Sequence, residues 1–471
     1  GAVTLGASNI IGTYDCTSSL VEPDHFKIEH DGSAINCQAE RITISARTAD
    51  HDVATYYTGT INLSTDTIPP SSSNNNVDWS GGKVDNLANN NGQFTYTFDN
   101  TEEGSVSLYL ANSVAETIDI NVEDPISGLS EKSGEADSTE DPPLEYKAAG
   151  FIFHDGTIER NDIVTQTAGI TANLVLEAVI TNTTTGACDA ALIDDNDIMV
   201  GFECINPSTC QRPLSLGSTA STTIIPIDAS NTINYAPVTL DFGPDDDSTA
   251  NVVMNYSDAG AIRLHAEHAF ENGTIISGTS NSFVVKPHSY LITLSDGETG
   301  SDYEADSATD SIYKKAGEPF TVTVTARSFD ESTTPNFGNE SSPSVTVDLN
   351  HSLARPNNED DGFTGVPGML NGTWSNHINN SGRFSGDYSF NEVGIIDLTA
   401  SIDYLGTGIV TTTLSSIGRF TPASFSITAP VNGSWQNEQT NGSGGFTYIG
   451  QPFSYATVPA FTLNALSAAG D

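Results

Sequence analysis

One stretch of this chain recurs in register three and a half times. Phe26-Lys27-Ile28-Glu29-His30-Asp31-Gly32 has a counterpart in Phe151-Ile152-Phe153-His154-Asp155-Gly156. It returns as Tyr290-Leu291-Ile292-Thr293-Leu294-Ser295-Asp296-Gly297, and in shorter form as Phe425-Ser426-Ile427-Thr428. The copies stand roughly 125 to 140 residues apart, the size of one compact domain. A chain of 471 residues is too long for one hydrophobic core, so length and repeat agree on three or four domains.

A second block follows each opening. Its inward positions are Ile42, Ile44 and Ala46, then Leu174, Leu176 and Ala178, then Val322, Val324 and Ala326, then Phe461, Leu463 and Ala465. The spacing of two is the pleat of a half-buried strand. The fixed Ala implies close approach of a facing sheet. In three copies a turn with Gly precedes this strand, at Ala168-Gly169, Ala316-Gly317 and Ile449-Gly450. A third block pairs an aromatic with a Gly-led strand. Tyr96 precedes Gly104, Val106, Leu108 and Leu110. Tyr256 precedes Gly260, Ile262, Leu264 and Ala266. Tyr388 precedes Gly394, Ile396, Leu398 and Ala400. These patterns predict an all-β chain of tandem immunoglobulin-like β-sandwich domains, the last one incomplete. The expected divisions are an N-terminal segment plus first sandwich over 1–123, an acidic linker or long loop over 124–143, and further sandwiches over 144–285 and 286–422. A partial fourth sandwich occupies 423–471. Lys286-Pro287 and Thr421-Pro422 make two of the connections short and stiff. The chain starts at Gly1 without Met and stops just after a strand begins, so the native protein is expected to continue past Asp471.

Charge narrows the partners. Sixteen Lys+Arg against 61 Asp+Glu give a formal net charge of −45, which repels nucleic acid and anionic lipid. No run of about 20 apolar residues is present, so no membrane insertion is expected in this segment. The five cysteines form no CxxC and no zinc spacing with His. Disulfides in an oxidising compartment fit them better. Cys204 and Cys210 could close a small ring, and Cys16 with Cys37 could tie down the N-terminal segment. Cys188 is then left free or paired elsewhere, and Cys188–Cys204 is the competing pair.

No catalytic constellation emerges. His265 and His268 flank Glu267 without HExxH spacing, and Gly442-Ser443-Gly444-Gly445 has no P-loop Lys after it. No Ser or Cys nucleophile has a recognisable setting. The openings' histidines, including His30 and His154, read as strand or turn residues. The cofactor expectation is none, with Ca²⁺ the one candidate ion. Its hard oxygen ligands would come from Asp194, Asp195 and Asp197, from Asp245, Asp246 and Asp247, or from Glu359, Asp360 and Asp361. Trp79, Trp374 and Trp435 stand in polar surroundings. They read as loop anchors or, alternatively, as platforms for sugars.

Asp24-His25-Phe26-Lys27-Ile28-Glu29-His30-Asp31-Gly32, followed by Ile35-Asn36-Cys37-Gln38-Ala39-Glu40, resembles the opening of the C-terminal region of MshQ proteins, which are associated with the MSHA type IV pilus. Phe202-Glu203-Cys204-Ile205-Asn206-Pro207-Ser208-Thr209-Cys210 is similar to a Cys-Asn-Pro-Cys segment of that family. Ile417-Gly418-Arg419-Phe420-Thr421-Pro422-Ala423-Ser424-Phe425 and Phe446-Thr447-Tyr448-Ile449-Gly450-Gln451-Pro452-Phe453 resemble it too. The likeness runs from about residue 24 to the end, but departs at 42–49, where the family often carries further cysteines. It implies a secreted, extracellular protein of a Gram-negative bacterial surface, with pilus or cell-surface components as partners and no catalytic residues to carry over. Together with the repeat, it points to a stalk or adhesin part acting in attachment. Two other readings stand beside it. One is a carbohydrate-binding module array taking glycans. The other is a self-associating filament subunit completed by strand addition.

Overall fold

Each repeat opens with a strand that pairs antiparallel with the alternating strand after it. His25–Glu29 pairs with Glu40–Arg47, Ala149–His154 with Ala172–Thr181, and Ser289–Ser295 with Pro319–Arg327. Between the two, the chain crosses to the opposite sheet and lies parallel to the domain's last strand. Ser33–Ile35 runs along Leu144–Lys147, Gln166–Thr167 along Phe283–Lys286, and Lys314–Lys315 along Ile409–Thr421. The start of each domain therefore stitches both sheets together. The structure, a computed structural model, describes residues 22–69, 76–81, 91–131, 141–157, 162–227, 233–243, 248–295, 303–341, 343–378, 381–428, 434–435, 449–450 and 455–470. Among these residues every regular element is a strand.

Three two-sheet sandwiches result, with four and five strands in the first, six and six in the second, and four and four in the third. Each encloses its own apolar cluster. Ile42, Ile44, Ala46, Leu176, Ala178, Val322, Val324 and Ala326 are all fully buried. The fixed Ala has a cause inside its own sheet. Its cross-strand neighbour is the opening aromatic in all four copies: Phe26 opposite Ala46, Phe151 opposite Ala178, Tyr290 opposite Ala326, and Phe425 opposite Ala465. A large ring and a small side chain share one slot. The fourth unit shows the same first pairing, Ser424–Ile427 on Leu463–Leu466, and a second pair, Ser434–Trp435 on Tyr455–Thr457. There Phe425, Phe461 and Leu463 remain exposed.

Two expectations are corrected. Leu144–Lys147, expected to open the second domain, closes the first. Leu144 and Tyr146 are buried in the first core, and the strand lies between Ser33–Ile35 and Thr117–Glu123. The described flanks of segment 124–143 also belong to this sandwich. Tyr57 Oη donates to Asp124 Oδ2 at 2.9 Å, and His30 Nε2 lies 3.2 Å from Asp141 Oδ2. Pro142-Pro143 leads into the last strand of the first sandwich and is not a border.

The third block equated strands from different sheets. Ser105–Asn112 pairs with Glu40–Arg47, so its counterparts are Thr249–Tyr256 and Arg383–Phe390, which pair with Ala172–Thr181 and Pro319–Arg327. Gly260–Ala269 and Gly394–Asp403 lie in the opposite sheets. Strands of both sheets alternate with the same period of two, so periodicity cannot tell one sheet from the other. The true equivalent of Gly104 is Gly382, and Ser248 holds the same place. Each has positive φ and accepts the N–H of the fixed Ala: Ala46, Ala326 and Ala178 in turn.

Candidate functional site: the joints between sandwiches

The turn before the second strand, read above only as a turn, is where the next domain docks. In the second sandwich Ala168 N–H donates to Lys286 O and Gly169 N–H to Tyr256 O, while Ala168 O accepts from Phe329 N–H of the third at 2.9 Å. The following joint repeats this bond for bond. Ala316 N–H donates to Thr421 O, Gly317 N–H to Phe390 O, and Ala316 O accepts from Ala468 N–H of the fourth at 2.8 Å. Phe329 and Ala468 each stand three residues past the fixed Ala. The glycines are needed twice over. Their φ values are +79° and +83°, and an added Cβ would lie 3.0 Å from Phe329 N or 3.1 Å from Ala468 N.

The first joint replaces this contact with a covalent bond. Asn36 N–H donates to Lys147 O, as Ala168 and Ala316 do to their own last strands. Cys37 therefore stands where the glycines stand. It bonds Cys188, with Cα atoms 5.1 Å apart. Cys188 lies opposite Thr181, which is three residues past the fixed Ala178. The expected Cys16–Cys37 pair is not formed, because Cys37 is spent on the neighbouring sandwich. Cys16 lies outside the described residues. Cys204 bonds Cys210, and this small ring also serves a joint. Asn206, within it, donates from Nδ2 to Pro343 O and accepts from Ser341 N–H; Gln211 N–H, next to it, donates to Asn336 Oδ1.

Asn336 is the fully buried pin of that second joint. Its Nδ2 donates to Ala259 O at 2.7 Å and to Tyr256 Oη at 3.1 Å, and its N–H donates to Asp258 Oδ1 at 3.0 Å. Burial pushes the Asp258 carboxyl up to about 7, against the pull of those hydrogen bonds and of Arg212. Sequence reading missed both residues, since lone Asn and Asp carry no pattern.

Between the first and second sandwiches lies a polar cleft of about 250 Å³. Asp31, Lys147, Arg263, His265 and Glu267 are among its lining residues. Arg41 Nη1 meets Asp162 Oδ2 at 2.9 Å and Lys147 Nζ donates to Ser277 Oγ at 3.0 Å, both across the joint. Burial, reinforced by Asp162, raises the Asp31 carboxyl to about 8; Glu40 is raised by burial and then by Asp31. Asp31 belongs to the His-Asp-Gly opening, so this site was within reach of the repeat. Its histidine, like His154, serves the turn: the Nδ1 atoms of His30 and His154 accept from Gly32 N–H and Gly156 N–H.

Among the described residues, the expected cation ligands are not drawn together into a site. Asp197 accepts from Thr239 Oγ1, while Asp194 and Asp195 sit exposed at the start of the same strand. Asp360 and Asp361 face Arg355 at 3.2 and 3.5 Å, and Glu359 is exposed. Asp245, Asp246 and Asp247 lie outside the described residues, as does Gly442-Ser443-Gly444-Gly445. Among the described residues no group of three or more His, Cys, Asp or Glu is placed to hold a metal ion. Trp79 is buried, with Nε1 donating to Gly92 O. Trp374 packs on Phe384 and Tyr388 and donates to Val347 O. Both are anchors.

A Gly169→Val chain is expected to keep its sheets by circular dichroism but lose the second joint. The second sandwich should lose about 1–2 kcal/mol from the left-handed φ alone. Small-angle scattering should report a longer, looser particle; an unchanged scattering curve would show that the turn is not a docking point.

Residues 129–279 match the model described as domain of unknown function (DUF6701), first Ig-like domain. Residues 286–387 match the DUF6701 second domain, 392–471 its third domain, and 23–116 a domain of unknown function, DUF8613. No curated protein matches the chain. Among solved structures, invasin, a bacterial integrin-binding protein, is similar at 11% identity and a TM-score of 0.24, over 86% of this chain and 61% of that chain. A tetra-tandem repeat in the extending region of a large adhesion protein is similar at 11% identity and a TM-score of 0.28, over 95% of this chain and 92% of that one. The chain thus spans about three fifths of the invasin chain. In family terms, a segment matching the DUF8613 model is followed by segments matching the first, second and third DUF6701 models, in that order.

Proposed function

We propose that this chain is a non-catalytic stalk of an extracellular bacterial attachment protein, holding a binding part away from the cell. The observation that carries the reading is the recurrence of one joint. Domain after domain docks by the same turn, so the array has a defined direction and resists hinging where it would otherwise be a loose string. Disulfides at or beside the first two joints suit an oxidising exterior. The resemblance to MshQ proteins extends the proposal to a type IV pilus of the MSHA kind as the structure the stalk serves. Glycan binding has less support, since Trp79 and Trp374 are both committed to packing.

The test is an in-frame deletion of residues 149–422 in the native gene. Attachment of cells to surfaces should fall at least tenfold while the remaining protein still reaches the exterior. Undiminished attachment at equal display would reject the stalk role.

A further inference from the structure

The cleft at the first joint holds a cation that the chain does not satisfy. The strand Gly260–Ala269 sends Ile262, Leu264 and Ala266 into the second core. Its other face carries Arg263, His265 and Glu267, which line the cleft together with Asp31, Ser33 and Lys147 of the first sandwich. Two of the three cations have partners. Lys147 Nζ lies 3.2 Å from Glu145 Oε2 and donates to Ser277 Oγ, and His265 Nε2 lies 3.4 Å from Glu203 Oε2. Arg263 Nε is buried with no hydrogen-bond partner, and among the described residues no carboxylate pairs with its guanidinium.

The carboxyl groups that feel its charge are Glu29, Asp31, Glu40 and Glu203, and each is engaged elsewhere or neutral. Glu29 is held by Lys27 at 2.7 Å and by Arg47 at 3.7 Å, and Glu203 by His265. Glu40 Oε1 accepts from Asp31 N–H at 3.2 Å. Burial raises Asp31 to about 8, so at neutral pH it is an uncharged carboxyl with an O–H to donate. A covered guanidinium without a counter-ion is costly unless an oxyanion reaches it.

The lining describes that oxyanion. A guanidinium is a planar fork of donors that meets a carboxylate in two parallel bonds. Around it stand hydroxyls and carboxyls, with Ser277, Thr279 and Tyr235 beside Asp31 and Glu267, which suit the hydroxyls of a sugar and offer little to a hydrocarbon. At about 250 Å³ the cleft is smaller than those that take drug-sized molecules, and it suits one ring.

We propose that this cleft binds an acidic sugar, one uronic acid residue whose carboxylate is taken by Arg263 and whose hydroxyls meet the surrounding side chains. The walls come from two sandwiches, so the bound sugar braces the first joint and should raise the melting temperature. The tryptophans take no part in it.

Titration calorimetry of the full chain with D-galacturonate, D-glucuronate, D-galactose and acetate tests this. The net charge of −45 repels any anion at a distance, so the titrations are run at about 0.15 M salt, where screening acts beyond about 8 Å. At least one uronate should bind with a Kd of about 1 mM or tighter, with galactose and acetate each at least tenfold weaker. Arg263→Lys keeps the charge but removes the fork, and should weaken the uronate at least tenfold. No uronate binding up to about 50 mM, or galactose or acetate binding as well as the uronates, would overturn the proposal. So would undiminished uronate binding by a folded Arg263→Lys chain. The comparison among the four probes uses the native chain and decides the matter even where the variant fails to fold. Either outcome leaves the stalk role standing, since that rests on the repeated docking turn.

Discussion

Pulled from its two ends, the oxidised chain will stop about 50 nm short of the length it reaches after reduction. Cys37 and Cys188 stand 151 residues apart in sequence and are bonded across the first joint. Force entering at the N-terminus passes through that bond and into the second sandwich. Residues 38–187 stay slack, including most of the first sandwich and the opening strands of the second. At about 3.5 Å per extended residue, the hidden length is about 50 nm. Closing so long a loop also disfavours the unfolded chain by about 5 kcal/mol in the chain-entropy treatment. Single-molecule stretching with and without a reductant measures the difference, and a Cys37→Ser, Cys188→Ser chain should show the full length without reductant. The Cys204–Cys210 ring encloses too few residues to mimic the effect. An oxidised chain that already extends fully would refute the clamp.

What could be read from the residues, and what could not, follows from the range of the interactions. Ile42, Ile44 and Ala46, with their counterparts, announced themselves because a pleated strand writes its burial into every second residue. The opening aromatic and the fixed Ala were both visible, but their pairing was not. It depends on register between strands whose paired residues stand about 20 to 40 residues apart. The boundary near Pro142-Pro143 misled because proline marks a turn without saying which core the next strand will join. Cys188 was left without its partner because a disulfide between domains obeys no local spacing. Gly169 and Gly317 were legible as turn residues through their place before a strand. Their second duty, leaving room for Phe329 and Ala468, is set by a different domain about 150 residues away, and no pattern within one repeat encodes it. Asn336 and Asp258 are the extreme case, single polar residues whose burial exists only once two sandwiches have met.

That same burial makes the second joint a pH-dependent one. In the unfolded chain Asp258 titrates near the usual aspartate value of about 3.9. Docked, it is held at about 7, first by burial, with the hydrogen bonds from Ala259 and Asn336 opposing. A carboxyl whose folded value is raised binds protons more tightly in the folded state. Its contribution to stability is complete below about pH 4 and is lost as pH rises through about 7. The first joint adds to this in the same direction, because Asp31 is raised to about 8. The chain should therefore unfold at a higher temperature at pH 5 than at pH 8, the reverse of ordinary acid denaturation. Asp258→Asn retains the oxygen that accepts from Ala259 N–H and Asn336 N–H and removes the charge. It should raise stability at pH 8 by up to about 4 kcal/mol and flatten the slope between pH 5 and pH 8. Asp31→Asn should flatten the part that remains. Calorimetry of the three chains across that range reads the effect directly. A native chain more stable at pH 8 than at pH 5, or a slope that Asp258→Asn leaves untouched, would mean that Asp258 is charged in the docked joint and compensated by Arg212.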